Sequence, residues 1–137
     1  MKKLTLTIKT PTRVIVDKKE VDFVTLPGFL GEIGVLYNHA PLMVELKEGI
    51  LKYRNENDEE YFAIYWGFAQ VFNNNVIVLA EDASLSSEID AQKLTQQYEY
   101  LRSKLTTKED IEDIEIKLKK IAVDLRLSNI IKRKQKR

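Results

Sequence analysis

Cysteine is absent from this chain of 137 residues, and histidine occurs only once, as His39. The lack of cysteine excludes disulfide bonds, thiolate metal sites and a cysteine nucleophile. His39 has no second histidine with which to bind a metal, and no GxSxG sequence supplies a serine nucleophile beside it. Adjacent carboxylates such as Glu59 and Glu60 do not make a metal site by themselves. We therefore predict no catalytic residue, no metal site and no cofactor.

Long apolar runs are also absent. No stretch approaches the roughly 18 apolar residues that a membrane span requires, and the N-terminal residues do not resemble the apolar core of a signal peptide. The formal net charge is only +1, which argues against a dedicated nucleic-acid-binding protein. We expect a protein that stays in the cytoplasm and associates with a membrane only indirectly, through its partners.

The charges that are present divide the chain into two parts. Residues 1–86 carry 9 basic and 12 acidic groups (net −3), whereas residues 87–137 carry 13 and 9 (net +4). The hydrophobic pattern changes at the same point, from the short period of strands to the longer period of helices. We predict a strand-rich domain over residues 1–86 and a helical domain over residues 87–137.

About eight short strands separated by turns are predicted in the first domain, which is typical of a β-sandwich or a β-barrel. The alternation of apolar residues with threonine over residues 4–8 predicts the first strand. The charged residues 17–20 are interpreted as a turn that ends the second strand. Strands over residues 43–46 and 50–53 are predicted to pair with each other as a hairpin.

A long strand is predicted over residues 61–72, followed by a turn at residues 73–75. Gly67 lies inside this strand and indicates a bulge or a close approach of another backbone. The strand is also rich in aromatic residues, which at this spacing are expected to lie in the core between two sheets. These residues are Tyr65, Trp66, Phe68 and Phe72.

The second domain shows two helical stripes. Apolar residues spaced three and four apart predict one helix with Ala91, Leu94, Tyr98, Leu101 and Leu105 on one face. A second helix has the stripe Ile111, Ile114, Leu118, Ile121 and Leu125, and an additional apolar set of Ile116, Val123, Leu127 and Ile130. The short linker between the helices predicts an antiparallel pair. Ser87 with Asp90 is interpreted as the cap of the first helix.

The end of the second helix is strongly basic. Cations at a helix C-terminus stabilise the helix dipole, which is a sufficient reason for one or two of them. Five cations within six residues exceed that need and are also suited to an acidic protein surface, nucleic acid or anionic lipid. The five residues are Lys132, Arg133, Lys134, Lys136 and Arg137.

Glycine and proline are rare but concentrated. Three of the five glycines, two of the three prolines and the only histidine fall within residues 27–42. Glycine at short spacing permits positive φ and close backbone approach, so we predict a tightly folded surface turn between strands. The glycine spacing does not match a phosphate-binding loop, and no helical pattern follows it.

Within this stretch the sequence Gly31-Glu32-Ile33-Gly34, followed by His39-Ala40-Pro41-Leu42, resembles the signature of the epsilon subunit of F-type ATP synthases. Two further landmarks resemble the same family in the expected order. They are Asn75-Val76-Ile77-Val78-Leu79-Ala80, and Ile89-Asp90 at the start of the helical domain. The resemblance implies an antiparallel β-sandwich of two five-stranded sheets followed by an antiparallel two-helix hairpin.

The resemblance also implies a function. It indicates a non-catalytic rotor subunit of the central stalk, peripheral on the cytoplasmic face of the cell membrane, which couples the gamma subunit to the ring of c subunits. The family pattern places Gly31, Glu32, Gly34 and His39 at the interface with the rotor and the c-ring loops. It assigns the five terminal cations to contact with the alpha and beta catalytic subunits, where the extended hairpin blocks ATP hydrolysis.

Some family members bind ATP through an I/L-D-x-x-R-A motif that opens the first helix. Here Ile89 and Asp90 match that motif, but Lys93 replaces the arginine and Leu94 replaces the alanine. Lysine lacks the planar fork of arginine, and leucine is bulkier than alanine. We expect weak or absent ATP binding, with Asp90 acting mainly as an acid at the helix start.

Two alternatives remain open from the residues alone. The hairpin could stay folded on the sandwich and only stabilise assembly, without inhibiting the enzyme. The chain could also be a small-ligand-binding β domain with a helical dimerisation hairpin. Co-purification separates these classes, since a rotor subunit is recovered with a multi-subunit ATPase and a ligand-binding domain forms an oligomer of its own.

Overall fold

The computed structural model describes residues 2–103 and 111–135. The chain divides into two compact units, Met1–Ala83 and Ser84–Arg137. The strands are β1 (Leu4–Lys9), β2 (Val14–Val21), β3 (Phe23–Gly28), β4 (Gly31–Leu36), β5 (Leu42–Leu46), β6 (Gly49–Asn55), β7 (Asp58–Phe72) and β8 (Asn75–Leu85). A 3-10 turn at Ser86–Glu88 is followed by helices α1 (Ala91–Ser103) and α2 (Ile111–Gln135).

The strands form one continuously hydrogen-bonded system in the order β2-β1-β8-β7-β5-β3-β4, with β6 paired to both β3 and β7. Strand β7 joins the two layers, because its first half pairs with β6 and its second half, from Gly67 onward, pairs with β5. Alternate residues point inward and fill the core. Fully buried examples are Leu4, Leu6, Ile8, Val21, Val24, Leu26, Val35, Leu51, Ile64, Val76 and Val78.

The predicted architecture, a β-sandwich followed by two helices, is confirmed. The details differ from the two five-stranded antiparallel sheets that the resemblance implied. Eight strands are present among the described residues. The pairing of β1 with β8 is parallel, with Thr5 opposite Asn75 and Lys9 opposite Leu79. The first strand is therefore hydrogen-bonded to the last.

The predicted hairpin between residues 43–46 and 50–53 is wrong. Strand β5 pairs with the second half of β7, and strand β6 pairs with the first half of the same strand. The connection at residues 47–48 therefore crosses between layers instead of turning back on itself. A short link that contains glycine can form either a hairpin turn or a crossover between layers. Here it forms the crossover, because β7 is 15 residues long and can pair with β6 along one half and with β5 along the other.

The predicted turn at residues 17–20 is also wrong, because these residues belong to β2. Strand β2 lies at the edge of the sheet and pairs only with β1 along the strand order. Charged side chains on an edge strand protect its free backbone groups from pairing with other chains. The register shifts between Leu6 and Ile8, where Lys18 has φ of 49° and its N–H donates to Thr7 Oγ1. The charges therefore mark a protected, irregular edge.

A group of polar contacts, which we call the polar clasp, joins Lys3, Asp22, Asn55 and Glu56. Asp22 Oδ2 accepts the backbone N–H of Glu56 at 2.6 Å, and Lys3 Nζ lies 3.5 Å from Asp22 Oδ1. Lys3 Nζ also donates to Asn55 Oδ1 at 2.5 Å. The hydrogen bond from Glu56, with a smaller contribution from the charge of Lys3, holds the pKa of Asp22 below its ordinary value despite some desolvation. The clasp ties the start of β1 to two distant turns.

We expect Asp22→Asn to lower the free energy of unfolding at pH 7, and this deficit to shrink in acid. Because the folded pKa of Asp22 is lowered, its contribution is present above the unfolded-state pKa of about 4 and is lost as the pH falls through the folded value. Urea unfolding of both proteins at pH 7 and pH 3 measures the difference. The matched control is Asp17→Asn, an exposed carboxylate on β2. An equal deficit at both pH values would contradict the electrostatic role.

The two helices contact each other, and α1 turns its predicted stripe toward this contact. Ala91, Leu94, Tyr98 and Leu101 are its less exposed residues, although none is fully buried. Leu105 lies outside the described residues. On α2 the buried residues come from both predicted apolar sets, and they are Ile114, Ile121, Val123 and Leu127. Ile116, from the second set, remains 45% exposed. No helix in the described part of the chain is long and apolar enough to span a membrane.

Candidate docking site

The stretch 27–42 folds mainly as a β-hairpin, with β3 and β4 paired in register from Phe23 opposite Leu36 to Gly28 opposite Gly31. The predicted surface turn is therefore limited to two parts, the tip at Phe29 and Leu30 and the loop at residues 37–41. Gly31 has φ of 143°, in a region that favours glycine, and its α-carbon faces open space. The glycine requirement at this position thus comes from the sharp turn.

The tip of this hairpin is exposed and apolar. Leu30 is 98% exposed and Phe29 is 57% exposed, which is unusual for large apolar side chains at the end of a hairpin. The backbone is nevertheless held in place: Phe29 N–H donates to Glu45 O at 2.8 Å, and Lys47 N–H donates to Pro27 O at 3.1 Å. The backbone of the tip is therefore held by hydrogen bonds to strand β5 and to the residue that follows it.

A groove runs between this tip and β5. Its volume is about 480 Å³, and its walls include Phe29, Leu30, Glu32, Met43 and Glu45. The apolar members come from the hairpin tip and from the outward face of β5, and the two carboxylates come from β4 and β5. A groove of this composition suits a partner segment that combines an apolar side chain with a cationic one.

The four residues assigned to the rotor interface do not form one cluster. Gly31 and Glu32 lie next to the tip, and Glu32 is in strand β4 opposite Pro27. His39 lies beyond the other end of β4, a strand of six residues that spans about 20 Å. Its N–H donates to Leu36 O at 3.1 Å, and its Nδ1 lies 2.6 Å from Ala40 O. The tip and the His39 loop are thus at opposite ends of the strand.

Gly34 has a packing role between these two ends. It lies opposite Thr25 on β3, and a β-carbon built on it would lie 3.1 Å from the ring of Phe23. The His39 loop is joined to the turn that follows β7, because Asn38 N–H donates to Asn74 Oδ1 at 2.7 Å. The residues of the sequence signature therefore lie on two separate surfaces, and Gly34 packs in the strand between them.

A second exposed surface lies on the outer face of β5, β7 and β8. We refer to it as the apolar face. It consists of Met43, Phe68, Phe72, Ile77 and Leu79, which are 70%, 56%, 52%, 38% and 55% exposed. Soluble monomers rarely leave several large apolar side chains together in solvent, and such patches mark contacts with other proteins.

This surface corrects the prediction that the aromatic residues of β7 are core. Tyr65 is buried as expected and Trp66 is partly buried, but Phe68 and Phe72 point outward, while Ala69 and Val71 point inward. The inward residues Ala69 and Val71 are small, and the outward set contains two large aromatic residues beside the polar Gln70, so size and aromatic character pointed to the wrong face. The position of Gly67 is the signal that separates the buried Tyr65 from the exposed Phe68, because the strand bends there.

Asp90 caps helix α1. Its Oδ1 accepts the N–H groups of Gln92 at 3.1 Å and Lys93 at 3.3 Å, and its carbonyl accepts Leu94 N–H at 3.1 Å. The predicted cap with Ser87 is wrong, since Ser87 lies in the preceding 3-10 turn. The Asp90 carboxylate is already engaged by two backbone amides. The expectation of weak or absent ATP binding at Ile89, Asp90 and Lys93 stays a prediction.

The basic end of α2 is described only in part. Lys132 and Arg133 are in the helix and exposed to solvent. Lys134 belongs to the helix, but its side chain is outside the description, and Lys136 and Arg137 lie outside the described residues altogether. Among residues 2–103 and 111–135, no group of three or more acidic or histidine side chains could hold a metal ion. The features that stand out in the described residues are docking surfaces.

Comparisons with known proteins find relatives of this chain. A family model for the β-sandwich domain of the ATP synthase Delta/Epsilon chain matches residues 3–86. The ATP synthase epsilon chain of Elusimicrobium minutum is 41% identical over 109 residues, which are 80% of this chain and 81% of that protein. The epsilon chain of Carboxydothermus hydrogenoformans is 43% identical over 103 residues, with 75% and 76% covered.

A solved structure is also similar. It is a chain of the mitochondrial ATP synthase of Euglena gracilis, determined as OSCP/F1/c-ring in rotational state 1. The similarity has a TM-score of 0.80 at 26% sequence identity, and covers 89% of this chain and 79% of that chain.

Proposed function

The chain belongs to the ATP synthase epsilon chains, which are non-catalytic subunits of that enzyme, and from this membership we propose that it couples the gamma subunit to the c-ring. Its sandwich would carry both contacts, one through the apolar face and one through the tip of the β3–β4 hairpin, and Met43 lies where the two surfaces meet. Attachment to the cytoplasmic face of the cell membrane would then be peripheral and would follow from assembly with the ring.

The observation that carries this proposal is the apolar face, with five large apolar side chains exposed on three adjacent strands. Burying such side chains stabilises a contact by about 25 cal/mol for each Å² of apolar surface removed from water. An apolar sheet face of this kind suits a permanent protein partner, for which we propose gamma. The similar chain in the Euglena structure belongs to an assembly that includes F1 and the c-ring.

The c-ring contact is assigned to the tip because Glu32 lies beside it. A cysteine at position 32 tests this assignment, and the absence of native cysteine makes it the only thiol on the subunit. In the assembled enzyme we expect Glu32→Cys, labelled with a thiol-directed photoactivatable crosslinker, to join the subunit to a c-subunit loop. Glu20→Cys, on the exposed edge strand β2, is the matched control and should not crosslink to the ring. Crosslinking of position 32 only to catalytic subunits would show that the docking orientation is wrong.

The helical unit has a proposed regulatory role, in which its basic end contacts an acidic segment of the catalytic subunits and slows ATP hydrolysis. Two observations support it. Helix α1 has no fully buried residue, so its packing can be exchanged at modest cost, and Lys132 and Arg133 are exposed. The alternative is a hairpin that only stabilises assembly, and the truncation described in the Discussion separates the two.

A further inference from the structure

The tip of the β3–β4 hairpin carries an apolar pair whose exposure the fold itself does not explain. Leu30 is 98% exposed, so it contributes almost nothing to the core of this sandwich. A two-residue turn between paired glycines is usually polar, since glycine, asparagine and aspartate favour such turns. Phe29 and Leu30 are therefore available for contact with a partner.

The pair is pre-organised for binding. Phe29 N–H is bonded to Glu45 O at 2.8 Å, and β3 also contacts β5 where Gly28 lies opposite Leu46. The turn is thus anchored to two strands, and little backbone order remains to be gained on association. Pre-organisation of this kind raises affinity because the ordering cost has been met during folding.

The charged residues around the tip indicate which class of partner it can bind. Glu32 and Glu45 line the groove, and the two residues that follow β5, Lys47 and Glu48, carry opposite charges that offset each other. Carboxylates disfavour an anionic lipid surface and favour a cationic group on a protein. The groove also has apolar walls from Phe29, Leu30 and Met43. Charge complementarity therefore selects a short protein loop with one basic side chain next to an apolar one.

We infer that the groove between the hairpin tip and β5 captures one loop of the c-ring, with Leu30 and Phe29 as its apolar anchors. Glu32 and Glu45 flank the basic side chain of that loop. This inference rests on the proposed docking of the tip on the ring and adds that apolar burial, more than the charge of Glu32, determines the strength of the contact. Such a contact retains most of its strength at high salt, which screens exposed charges.

The test measures the affinity of the full-length chain for enzyme that has been depleted of this subunit. We expect Leu30→Ser to raise the Kd at least about tenfold, and the double change with Phe29→Ser to raise it further. The increase in Kd caused by Leu30→Ser should be about as large in 0.5 M salt as it is at low salt. Glu32→Gln should have a smaller effect that high salt removes. Because Leu30 is almost fully exposed, its replacement is expected to leave the fold intact, which circular dichroism checks.

The matched control is Leu36→Ser. Leu36 is on the same strand and 55% exposed, but lies at the end away from the tip, so its replacement should change the Kd less than about twofold. If Leu30→Ser has no more effect than this control while position 32 still crosslinks to the ring, the anchor is wrong and the proposed docking stands. Crosslinking of position 32 away from the ring overturns both. Binding of the wild-type chain to protein-free lipid vesicles, with loss of that binding in Leu30→Ser, would assign the tip to a membrane instead.

Discussion

Replacing Gly67 by alanine is expected to lower the free energy of unfolding of the β-sandwich by about 3–5 kcal/mol. Gly67 has φ of 131°, and a β-carbon there would lie 2.1 Å from Leu79 O and 2.8 Å from Ala80 Cα. Both atoms belong to the backbone of β8, so they cannot move without disturbing the pairing of β8 with β7. The preceding Trp66 also has positive φ, of 50°, which shows how sharply β7 bends at this point.

Gly31→Ala is the matched control because it separates backbone strain from steric overlap. Gly31 also has positive φ, but a β-carbon there would meet no atom within 4 Å. Its replacement should cost only the conformational strain, about 1–3 kcal/mol. Urea unfolding of the isolated subunit measures both variants. Equal losses for the two glycines would show that the close approach of β8 does not determine the choice of glycine at position 67.

Deleting residues 87–137 is expected to leave the sandwich folded and assembled while raising the rate of ATP hydrolysis at least about fivefold. That factor corresponds to a coupling free energy of about 1 kcal/mol between the hairpin and the catalytic subunits, the lower end of the usual range. Residues 1–83 form a compact unit of their own, and the deletion removes only residues outside it. The measurement compares hydrolysis by truncated and full-length enzymes over a range of nucleotide concentrations and proton-motive force.

Neutralising the five cations of the basic end, Lys132, Arg133, Lys134, Lys136 and Arg137, should reproduce part of that rise. The matched control neutralises exposed acids at the other end of α2, namely Glu112, Asp113 and Glu115, and should leave hydrolysis within about twofold of wild type. Equal hydrolysis by truncated and full-length enzymes under all conditions would show that the hairpin is purely structural in this protein.

Sequence patterns predicted best those strands and helices that have a single apolar face. Strand β1 alternates leucine and isoleucine with threonine, and α1 repeats its apolar residues every three or four positions, so each has a single way to face the interior. Asp90 was identified as a helix-start residue, although it acts as the cap by itself. Local patterning determines such elements because their burial depends little on distant residues.

Pairing between strands was harder to predict, and the errors have a common physical reason. The partner of β5 depends on where β7 bends, which in turn depends on contacts between Gly67 and β8. The exposed side of β7 was predicted wrongly because Phe68 and Phe72 are larger apolar residues than Ala69 and Val71, and the polar Gln70 between them was not used. The family resemblance assigned Glu32 and His39 to the rotor and c-ring interface; strand β4 holds them at its two ends, and the assignment stays a prediction. The separation of Glu32 from His39 follows from strand geometry once residues 31–36 are known to form a strand, but the glycine spacing predicted a surface turn there.

The parallel pairing of β1 with β8 has a consequence for how this protein is made. Thr5 lies opposite Asn75, so the first strand finds its partner only after about 70 further residues have left the ribosome, which takes several seconds at about 5–20 residues per second. During that interval, β1 can pair with β2, but its other edge and its apolar side chains remain uncovered. A chaperone that shields nascent chains has its main opportunity in this interval, which ends when β8 has left the ribosome.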